Sequence, residues 1–271
     1  MKIAFQGEPG AYGEQATFDY FGQVETSPCE SFDDVFEVVT SGKCTYGLIP
    51  IENSLAGSIH QNYDLLLRHN LHIVGEYFLR VRHCLISLPG VEKSEIKKVI
   101  SHPQALGQCA GYLRGLGVKV EPVYDTAGSV KMLKASGERT TAAIASRRAA
   151  AIYEMQILQE GIEDNVENYT RFLAIALRPV EPESDAKTSI VFTLKNQPGA
   201  LFKALSVFAL RDIDLTKIES RPLAGTPWNY LFYIDFAGAM TDETVRRALS
   251  HLGEYALMLR VLGSYPRVNM V

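Results

Sequence analysis

Short apolar runs alternate with helical patterns along the first 178 residues, and this alternation limits the folds open to the chain. One strand-like run covers residues 2–6 and another covers residues 46–51. Alternating strands and helices predict sheets of parallel strands joined by right-handed crossovers. The pattern occurs in two successive blocks, residues 1–80 with 156–178 and residues 81–155. We therefore expect an α/β domain of two lobes with a cleft between them.

An acidic segment with two prolines, at residues 179–187, separates this domain from a shorter second pattern. Its composition and lack of periodicity are typical of a linker. The elements predicted over residues 188–271 follow the order βαββαβ, which is the ferredoxin-like arrangement. They are strands at 188–194, 214–219, 229–236 and 257–265, and helices at 200–210 and 242–252. A domain this small buries little surface, so we expect it to pair with another copy in a homodimer or homotetramer.

Composition argues against several classes of function. The 271 residues are 46% apolar, and 27 basic against 31 acidic side chains give a formal net charge of −4. Without a basic stripe, we expect no nucleic-acid partner. No apolar stretch approaches the roughly 20 residues that span a bilayer, so we expect no membrane partner. The N-terminus turns polar too early for a signal peptide, and a cytoplasmic location is the default expectation.

Metal and cofactor chemistry are not indicated by the sequence. Cys29, Cys44, Cys84 and Cys109 show no Cys-x-x-Cys spacing. The six histidines include no His-Glu-x-x-His pair. We therefore expect neither a metal site nor a bound cofactor.

The most informative short stretch is Asn-Tyr-Thr-Arg-Phe at residues 168–172, directly before an apolar run at residues 173–177. Such a run is typical of a buried strand in an α/β sheet. Polar groups at a strand end face the crevice where open α/β sheets bind ligands. Thr170 supplies a hydroxyl, and Arg171 supplies a planar guanidinium that can pair with both oxygens of a carboxylate. A surface ion pair explains this arginine equally well when the segment is taken alone.

Polar clusters follow several other predicted strands. They are residues 7–10 with Tyr12 and Glu14, residues 50–54 with Gly57 and Ser58, residues 101–104 with Gln108, and residues 125–129. Each also has a structural explanation, because Ser101 and Asp125 are good helix N-caps and Gly57 suits a turn. The carboxyl ends of successive strands share one edge of a sheet, where helix N-termini favour anions. We predict that these clusters converge with Thr170 and Arg171 on one site for a small anion.

Together these motifs resemble the prephenate dehydratase family over nearly the whole chain. The matching segments are Thr170-Arg171-Phe172 preceded by Asn168-Tyr169, Pro50-Ile-Glu-Asn-Ser54, Ser101-His-Pro-Gln104 with Gln108, and Asp125-Thr126-Ala127. The start, Phe5-Gln-Gly-Glu-Pro-Gly-Ala-Tyr12, also matches, although many members have Thr-Phe where this chain has Ala-Tyr. The tail resembles the family's ACT regulatory domain at Gly199-Ala-Leu201 and Glu219-Ser-Arg-Pro222.

The resemblance implies a fold and a reaction. The fold is a two-lobed catalytic domain at residues 1–178, similar to periplasmic binding proteins, with an ACT domain at residues 188–271. In the reaction, prephenate loses CO2 and water together and becomes phenylpyruvate, a step of L-phenylalanine biosynthesis. Because no segment precedes Met1 that could hold a fused chorismate mutase, we expect a monofunctional enzyme.

The resemblance also implies the residues of two sites. The expected catalytic residues are Thr170, Arg171, Phe172, Glu52, Asn53 and Gln108. The expected substrate-binding residues are Ser54, Gly57, Ser101, Gln104, Asp125, Thr126, Ala127 and Asn168. Feedback inhibition by phenylalanine is expected at a subunit interface, through Gly199, Ala200, Leu201, Glu219, Ser220, Arg221 and Pro222. The single tryptophan, Trp228, is expected close to that second site.

Within the catalytic set the expected roles differ. Arg171 clamps a substrate carboxylate, and Thr170 donates a hydrogen bond to the departing hydroxyl. Asn53 and Gln108 donate to substrate oxygens, while Glu52 orients them or supplies the proton. Phe172 forms an apolar wall beside the leaving carboxylate, whose desolvation favours decarboxylation.

Two alternatives stay open at this point. An arogenate dehydratase acts on the amino analogue and forms phenylalanine directly, and the motifs do not separate it from a prephenate dehydratase. A non-catalytic protein that binds a small carboxylate would need a clamp but not the hydroxyl of Thr170. Following the aromatic product from prephenate and from arogenate separates the three possibilities.

Overall fold

The computed structural model describes residues 1–182, 185–223, 225 and 229–268 of the chain. The expected position of Trp228 lies outside the described residues. The chain forms two compact units. The first contains residues 1–62 and 77–172, and the second contains residues 63–76 and 173–271. A short piece of the N-terminal half therefore belongs to the same unit as the C-terminal domain.

Strands and helices are numbered along the chain. The strands are β1 (Lys2–Gln6), β2 (Glu25–Cys29), β3 (Tyr46–Asn53), β4 (Gly57–Ser58), β5 (His72–Arg80), β6 (Cys84–Ser87), β7 (Lys98–Ser101), β8 (Lys119–Pro122), β9 (Thr141–Ala145), β10 (Gln156–Glu160), β11 (Tyr169–Ala176), β12 (Ala186–Leu194), β13 (Leu215–Pro222), β14 (Tyr230–Ala237) and β15 (Ala256–Pro266). The helices are α1 (Tyr12–Phe21), α2 (Phe32–Thr40), α3 (His60–Arg68), α4 (Pro103–Gln108), α5 (Ala110–Leu116), α6 (Thr126–Ser136), α7 (Arg147–Ile152), α8 (Ala200–Ala209) and α9 (Glu243–Tyr255).

The first sheet has the order β2-β1-β3-β11-β5, and the short β4 pairs with β3. Strand β1 runs parallel to both β2 and β3, as the alternation of strands and helices predicts. Ile3, Ala4 and Phe5 of β1 are fully buried, which is expected of a central strand covered on both faces. This sheet carries the residues 50–54 and 168–172 at the ends of adjacent strands.

The second sheet has the order β10-β6-β9-β7-β8. Strand β7 is parallel to β8 and β9, whereas β6 is antiparallel to β9 and to β10. The expectation of wholly parallel sheets is therefore wrong for β6 and β10. Strand β6 follows β5 after only residues 81–83 and enters the second sheet without a crossover helix, which leaves it free to pair antiparallel. Because β10 pairs with β6, this sheet extends to Glu160 rather than to residue 155.

Local capping signals place several helix starts. Ser31 and Asp34 form a reciprocal capping box at the start of α2, and the Asp125 carboxylate accepts from the Gly128 amide at the start of α6. Pro103 occupies the first position of α4, as predicted, but the cap is His102 rather than Ser101. The sequence pattern did not predict α3.

The C-terminal domain confirms the βαββαβ prediction. Its elements follow the order β12, α8, β13, β14, α9, β15 and form an antiparallel sheet of order β13-β14-β12-β15. Phe192, Phe208 and Phe236 are fully buried in the core between this sheet and its two helices. The mixed α/β fold class, with a ferredoxin-like domain at the C-terminus, is therefore confirmed. Strand β12 starts at Ala186, within the predicted linker.

Residues 63–76 pack against the C-terminal domain within the second unit. The Arg260 guanidinium donates to the carbonyls of Leu67, His69 and Leu71 at 3.0, 2.8 and 3.2 Å, where α3 has ended and its last carbonyls need donors. A Cβ on Gly263 would lie 2.0 Å from the Ile73 carbonyl oxygen, so only glycine permits this approach. In the described part of the chain, no helix combines the length and apolar character needed to cross a membrane.

A buried ion pair ties the same segment to β12. Lys187 Nζ lies 2.7 and 2.8 Å from the two carboxylate oxygens of Glu76, and the side chains are 7% and 0% exposed. The backbone amide of Val268 also donates to Glu76 Oε1 at 3.2 Å. Removing one member of such a pair leaves the other charge buried without its partner.

We predict that Lys187→Met lowers the free energy of unfolding by about 3–5 kcal/mol, because the Glu76 carboxylate stays buried without its ammonium partner. Urea-induced unfolding followed by circular dichroism measures the change. The control is Lys119→Met, since that lysine is 75% exposed beside Glu121, and a change within about 0.5 kcal/mol is expected there. Similar small changes for both variants would contradict the role given to this pair.

Candidate active site

A pocket of about 530 Å³ lies within the first unit, a size typical of small-molecule sites. Its walls come from strands β1, β3 and β11 of the first sheet and from helices and loops of the same unit. The described lining residues are Gln6, Ala11, Tyr12, Gly13, Glu30, Ser31, Phe32, Leu48, Pro50, Asn53, Ile59, Gln61, Val81, His83, His102, Gln104, Ala105, Gln108, Tyr124, Asp125, Thr126, Thr170 and Phe172. The sequence motifs at residues 50–54, 101–108, 125–127 and 168–172 each contribute at least one of these side chains.

Asn53 is the most highly bonded side chain of the pocket. Its Oδ1 accepts from the backbone amides of Leu55 and Ala56 at 3.1 and 2.9 Å, which fixes the orientation of the amide. Its Nδ2 therefore faces Asn168 Oδ1 at 2.9 Å, the Tyr169 carbonyl at 3.1 Å and Thr170 Oγ1 at 3.0 Å. Because the amide donates to Thr170 Oγ1, the hydroxyl hydrogen of Thr170 is available to another acceptor.

Side chains alternate between the two faces of β11. Thr170 and Phe172 line the pocket, and Arg171 between them is not among the described lining residues. Arg171 is 7% exposed, and its guanidinium carbon lies 6.0 Å from the centre of the Phe78 ring. The two-residue period of a strand separates Arg171 from its neighbours in the motif. The structure does not bring this guanidinium to the pocket.

Gln108 lines the pocket, and its side chain contacts His83, a residue that the sequence motifs do not include. Gln108 Oε1 lies 2.8 Å from His83 Nε2, and His83 Nδ1 lies 2.8 Å from the Tyr12 hydroxyl. The Tyr12 hydroxyl in turn lies 2.8 Å from the Arg82 carbonyl oxygen. In the sequence, His83 stands out only as a single histidine between two apolar strands. Its distance along the chain from Gln108 does not indicate that the two side chains meet.

Asp125, Thr126 and Gln104 also reach the pocket, at the starts of α6 and α4. The Asp125 carboxylate caps α6, and Thr126 is the first residue of that helix. Burial raises the pKa of Asp125 above its ordinary value, and the nearby charge of Glu8 raises it further, while the bond from Gly128 lowers it. Asp125 is therefore a carboxyl group that holds a proton more readily than an exposed aspartate does.

The remaining expected site residues support the pocket from outside its lining. Ser101 is fully buried and donates to the Ile144 carbonyl at 2.7 Å, and Ala127 lies in a hydrophobic core. Ser54 donates to the Glu167 carbonyl at 2.8 Å, and Asn168 is fully buried beside Asn53. Glu52 and Gly57 belong to the hairpin of β3 and β4, where Gly57 has a φ of +81°.

None of the described lining residues of the pocket is Lys or Arg, so an anion in it would have no such side chain as a partner. The starts of the three longer helices around it face it instead, at Tyr12 of α1, Phe32 of α2 and Thr126 of α6. The N-terminal ends of helices carry partial positive charge and free amides, which favour negatively charged ligands.

A second candidate site lies in the C-terminal domain. Gly199 precedes α8 with a φ of +77°, a left-handed conformation that glycine adopts without strain. Ala200 and Leu201 begin the helix and pack against the domain core. Glu219, Ser220, Arg221 and Pro222 form the end of the edge strand β13, and Arg221 donates to Asp64 at 2.8 Å within the second unit.

This fold and this pocket define a class of protein: an α/β protein with a pocket for a small molecule, followed by a ferredoxin-like domain. The family models agree with that class. Residues 3–180 match the model for prephenate dehydratase, and residues 188–254 match the model for the ACT domain. The chain belongs to the prephenate dehydratase family and is a lyase. This membership excludes the non-catalytic binding protein that the sequence left open.

Individual relatives and solved structures are also similar to the chain. The chain is 51% identical to arogenate dehydratase/prephenate dehydratase 2 of Arabidopsis thaliana, over 98% of this chain and 73% of that protein. A solved prephenate dehydratase from Arthrobacter aurescens, in complex with L-Phe, has a TM-score of 0.91 and 32% identity over 98% of this chain and 90% of that one. A protein named GqqA, described as a quorum quenching acylase, has a TM-score of 0.93 and 34% identity over 99% and 98% of the two chains.

The relatives overturn the cytoplasmic location expected from the N-terminus. The Arabidopsis relative described above and two others from the same plant are chloroplastic, so the cytoplasmic expectation is wrong. The hydropathy of a few N-terminal residues was too little information for a decision among compartments.

We predict that Asn53→Asp lowers kcat by about 10²–10³-fold while the protein stays folded. The new carboxylate still accepts from Leu55 and Ala56, but it has no hydrogen to donate to Thr170. The Thr170 hydroxyl then donates toward residue 53 instead of toward the substrate. Steady-state kinetics and circular dichroism measure the two effects.

The matched control for this variant is Asn62→Asp. Asn62 is another fully buried asparagine of the first unit, and its amide donates to the Pro50 carbonyl rather than to Thr170. Asn62→Asp introduces a comparable buried charge but leaves the bond from Asn53 to Thr170 in place. The kcat of this variant should therefore fall much less. Equal losses of kcat in the two variants would show that buried charge, not the bond to Thr170, causes the effect.

Proposed function

We propose that this enzyme converts prephenate to phenylpyruvate, with CO2 and water as the other products. In this reaction the bond from the ring to its carboxylate breaks, and the electron pair moves through the ring as the C–OH bond opposite it breaks. One proton joins the departing hydroxyl to form water. The ring becomes aromatic, so the protein needs mainly to orient the substrate and to assist the leaving hydroxyl.

The observation that carries the proposal is the bond from Asn53 to Thr170 Oγ1, at 3.0 Å. It makes the hydroxyl an acceptor toward the protein and a donor toward the pocket, which is the role that a departing hydroxyl requires. Donation from the amide also strengthens the hydroxyl as a donor, because hydrogen bonds in a chain polarise one another. A positioned donor of this kind contributes about 10²–10³-fold to a rate.

Thr170 is too weak an acid to give up its proton outright at neutral pH. Asp125 lines the same pocket, and burial raises its pKa. In this proposal Asp125 or water supplies the proton and Thr170 orients it. Glu52, which the sequence suggested as a proton source, is not among the described lining residues.

The charges of the substrate fit the pocket through dipoles and amides. Prephenate carries two carboxylates, and the starts of α1, α2 and α6 offer partial positive charge to them. Gln108 adds a side-chain amide. Phe172 and Leu48 supply an apolar wall, where a carboxylate loses water and decarboxylates more readily. Arg171 then serves to position β11 rather than to clamp a carboxylate.

Arogenate is the second candidate substrate, and a specific feature favours it. Arogenate carries an ammonium group where prephenate has a ketone, and the carboxylate of Glu30 lines the pocket. Opposite charges at short range would favour the ammonium. The name of the Arabidopsis relative includes both activities.

We predict that Thr170→Val, which keeps the shape of the side chain but has no hydroxyl, lowers kcat by about 10²–10³-fold with either substrate. Thr170→Ser retains a hydroxyl and should recover most of that loss. Product formation from prephenate and from arogenate, followed separately, measures both the effect and the preference. Near-normal turnover by folded Thr170→Val would refute the role of this hydroxyl, and turnover of neither substrate by the wild type would refute the proposed function.

We also propose that phenylalanine binds the C-terminal domain and inhibits the enzyme. The free amides at the start of α8 can receive its carboxylate, since Gly199 has no side chain to block the approach. The relative from Arthrobacter aurescens was solved with L-Phe, which supports this ligand. Phe202 and Leu210 are 77% and 78% exposed, which supports the pairing of this domain with a second copy.

We predict that Gly199→Ala weakens inhibition by phenylalanine at least tenfold with little change in uninhibited kcat, because a left-handed φ strains alanine and its methyl group narrows the approach. The inhibition constant and the fluorescence of Trp228 measure the change. Gly42→Ala is the matched control, because Gly42 has a φ of +73° and open space around it, as Gly199 does. Unaltered inhibition in Gly199→Ala would argue against this site.

A further inference from the structure

The side chains of Tyr12, His83 and Gln108 form a series of hydrogen bonds at the wall of the pocket. The Tyr12 hydroxyl contacts both the Arg82 carbonyl oxygen and His83 Nδ1, each at 2.8 Å, and His83 Nε2 contacts Gln108 Oε1 at 2.8 Å. His83 is 2% exposed. The polar motifs of the sequence do not include this histidine, and the proposed reaction does not use it.

The number of available hydrogens decides which atoms of Tyr12 and His83 are donors. Two oxygens at 2.8 Å need a hydrogen between them, and a carbonyl has none, so the Tyr12 hydrogen points to Arg82. Tyrosine has no second hydrogen, so the hydrogen between Tyr12 and His83 belongs to Nδ1. Burial raises the pKa of Tyr12 well above its ordinary value, so the hydroxyl keeps its hydrogen at neutral pH.

The orientation of Gln108 then depends on the other ring nitrogen. If His83 carries a second proton, on Nε2, it donates to Gln108 Oε1, and the amide NH2 is directed away from the ring. If His83 is neutral, Nε2 is an acceptor, and the amide must turn its NH2 toward the ring. The charge of His83 therefore determines whether Gln108 presents donors or an acceptor to the pocket.

The backbone holds the two residues at a fixed separation. The amides of Gly161 and Ile162 donate to the His83 carbonyl at 2.9 and 3.2 Å, and the Asp164 amide donates to the Gln108 carbonyl at 2.8 Å. The His83 amide donates to Glu163 Oε2 at 2.9 Å. One short segment thus binds the backbone of both residues, and rotation of the Gln108 amide is the adjustment open to the pair.

We propose that His83 is a positioning residue, and that its imidazolium form, held by Tyr12, directs the Gln108 NH2 group at a substrate oxygen. This inference rests on the proposed function. It also places a positive charge behind an amide in a pocket whose described lining lacks Lys and Arg. A bound dianion stabilises that charge, because opposite charges favour each other's charged forms.

The groups around His83 allow its own titration to be separated from theirs. Burial lowers the pKa of His83, while the bond to Gln108 and the charge of Glu163 raise it in part. The thiols near the chain stay protonated across the range of interest, because burial raises the pKa of Cys84 to about 11 and that of Cys109 further.

The sign of the effect follows directly. The pKa of His83 lies below its ordinary value of about 6.5, so the free enzyme loses the imidazolium as pH rises through that lower value. We therefore expect kcat/KM, which reports the free enzyme, to fall about 10- to 100-fold on this limb, the range expected for an unmade bond to a buried polar group. The same fall should appear in kcat, which reports the enzyme–substrate complex. It should occur at higher pH there, because the bound dianion stabilises the imidazolium.

Two variants test the hydrogen count. In Tyr12→Phe, Nδ1 no longer needs a hydrogen, so a neutral ring can place its only hydrogen on Nε2 and still donate to Gln108. In this variant kcat/KM should therefore fall less as pH rises, although the His83 ring is held less firmly without the Tyr12 hydroxyl. His83→Gln puts an amide near the position of Nε2 and should exceed the kcat/KM of His83→Asn, which is too short, by about tenfold.

A readout independent of turnover completes the test. Nuclear magnetic resonance of protein labelled with ¹⁵N-histidine reports the protonation of each ring nitrogen, and the resonance lost in His83→Gln identifies residue 83. The neutral ring should carry its hydrogen on Nδ1 in the wild type and on Nε2 in Tyr12→Phe. The same tautomer in both proteins, or a wild-type kcat/KM without the limb, would overturn the inference. If neither substrate turns over, the proposed function fails, and the tautomers still decide the state of His83.

Discussion

The candidate active site depends on the fixed orientation of one amide, that of Asn53. Two backbone amides of the loop after β3 hold its oxygen, so its nitrogen faces Asn168, Tyr169 and Thr170. The bond joins two strands that are 117 residues apart in sequence at Thr170. Because the amide cannot reverse, the direction of the Thr170 hydroxyl is set before any substrate arrives. Preorganised donors of this kind cost no rearrangement during the reaction, which is why they are effective in catalysis.

The rest of the pocket follows the same principle, with dipoles and amides in place of charged side chains. Helices α1, α2, α4 and α6 begin at its walls, and the described lining residues include no Lys or Arg. Charged side chains would be long and mobile, and their burial would have a desolvation cost. Helix N-termini are rigid parts of the fold, so they supply positive potential at a fixed place. The same reasoning applies to His83, which lines the pocket and contacts Gln108 at 2.8 Å.

The second unit shows a different use of charge. Glu76 and Lys187 form a buried pair, and Arg260 satisfies carbonyls where α3 has ended. These contacts bring residues 63–76 into one compact unit with the C-terminal domain. Polar contacts of this kind fix a register between segments, whereas the phenylalanine-rich core of the domain supplies most of the burial.

The amino-acid sequence by itself determined the fold class, the βαββαβ order of the C-terminal domain and the family, because periodicity and short motifs are local properties of the chain. It also predicted the four motifs that reach the pocket, including Thr170, Asn53 and Gln108. Only the tertiary structure decided which face of β11 each side chain occupies, and so it separated Arg171 from Thr170. It also decided that β6 runs antiparallel and that Tyr12, His83 and Gln108 meet. The physical reason is that hydrogen bonds between residues far apart in sequence, and the twofold alternation of a strand, have consequences only after the sheets have formed.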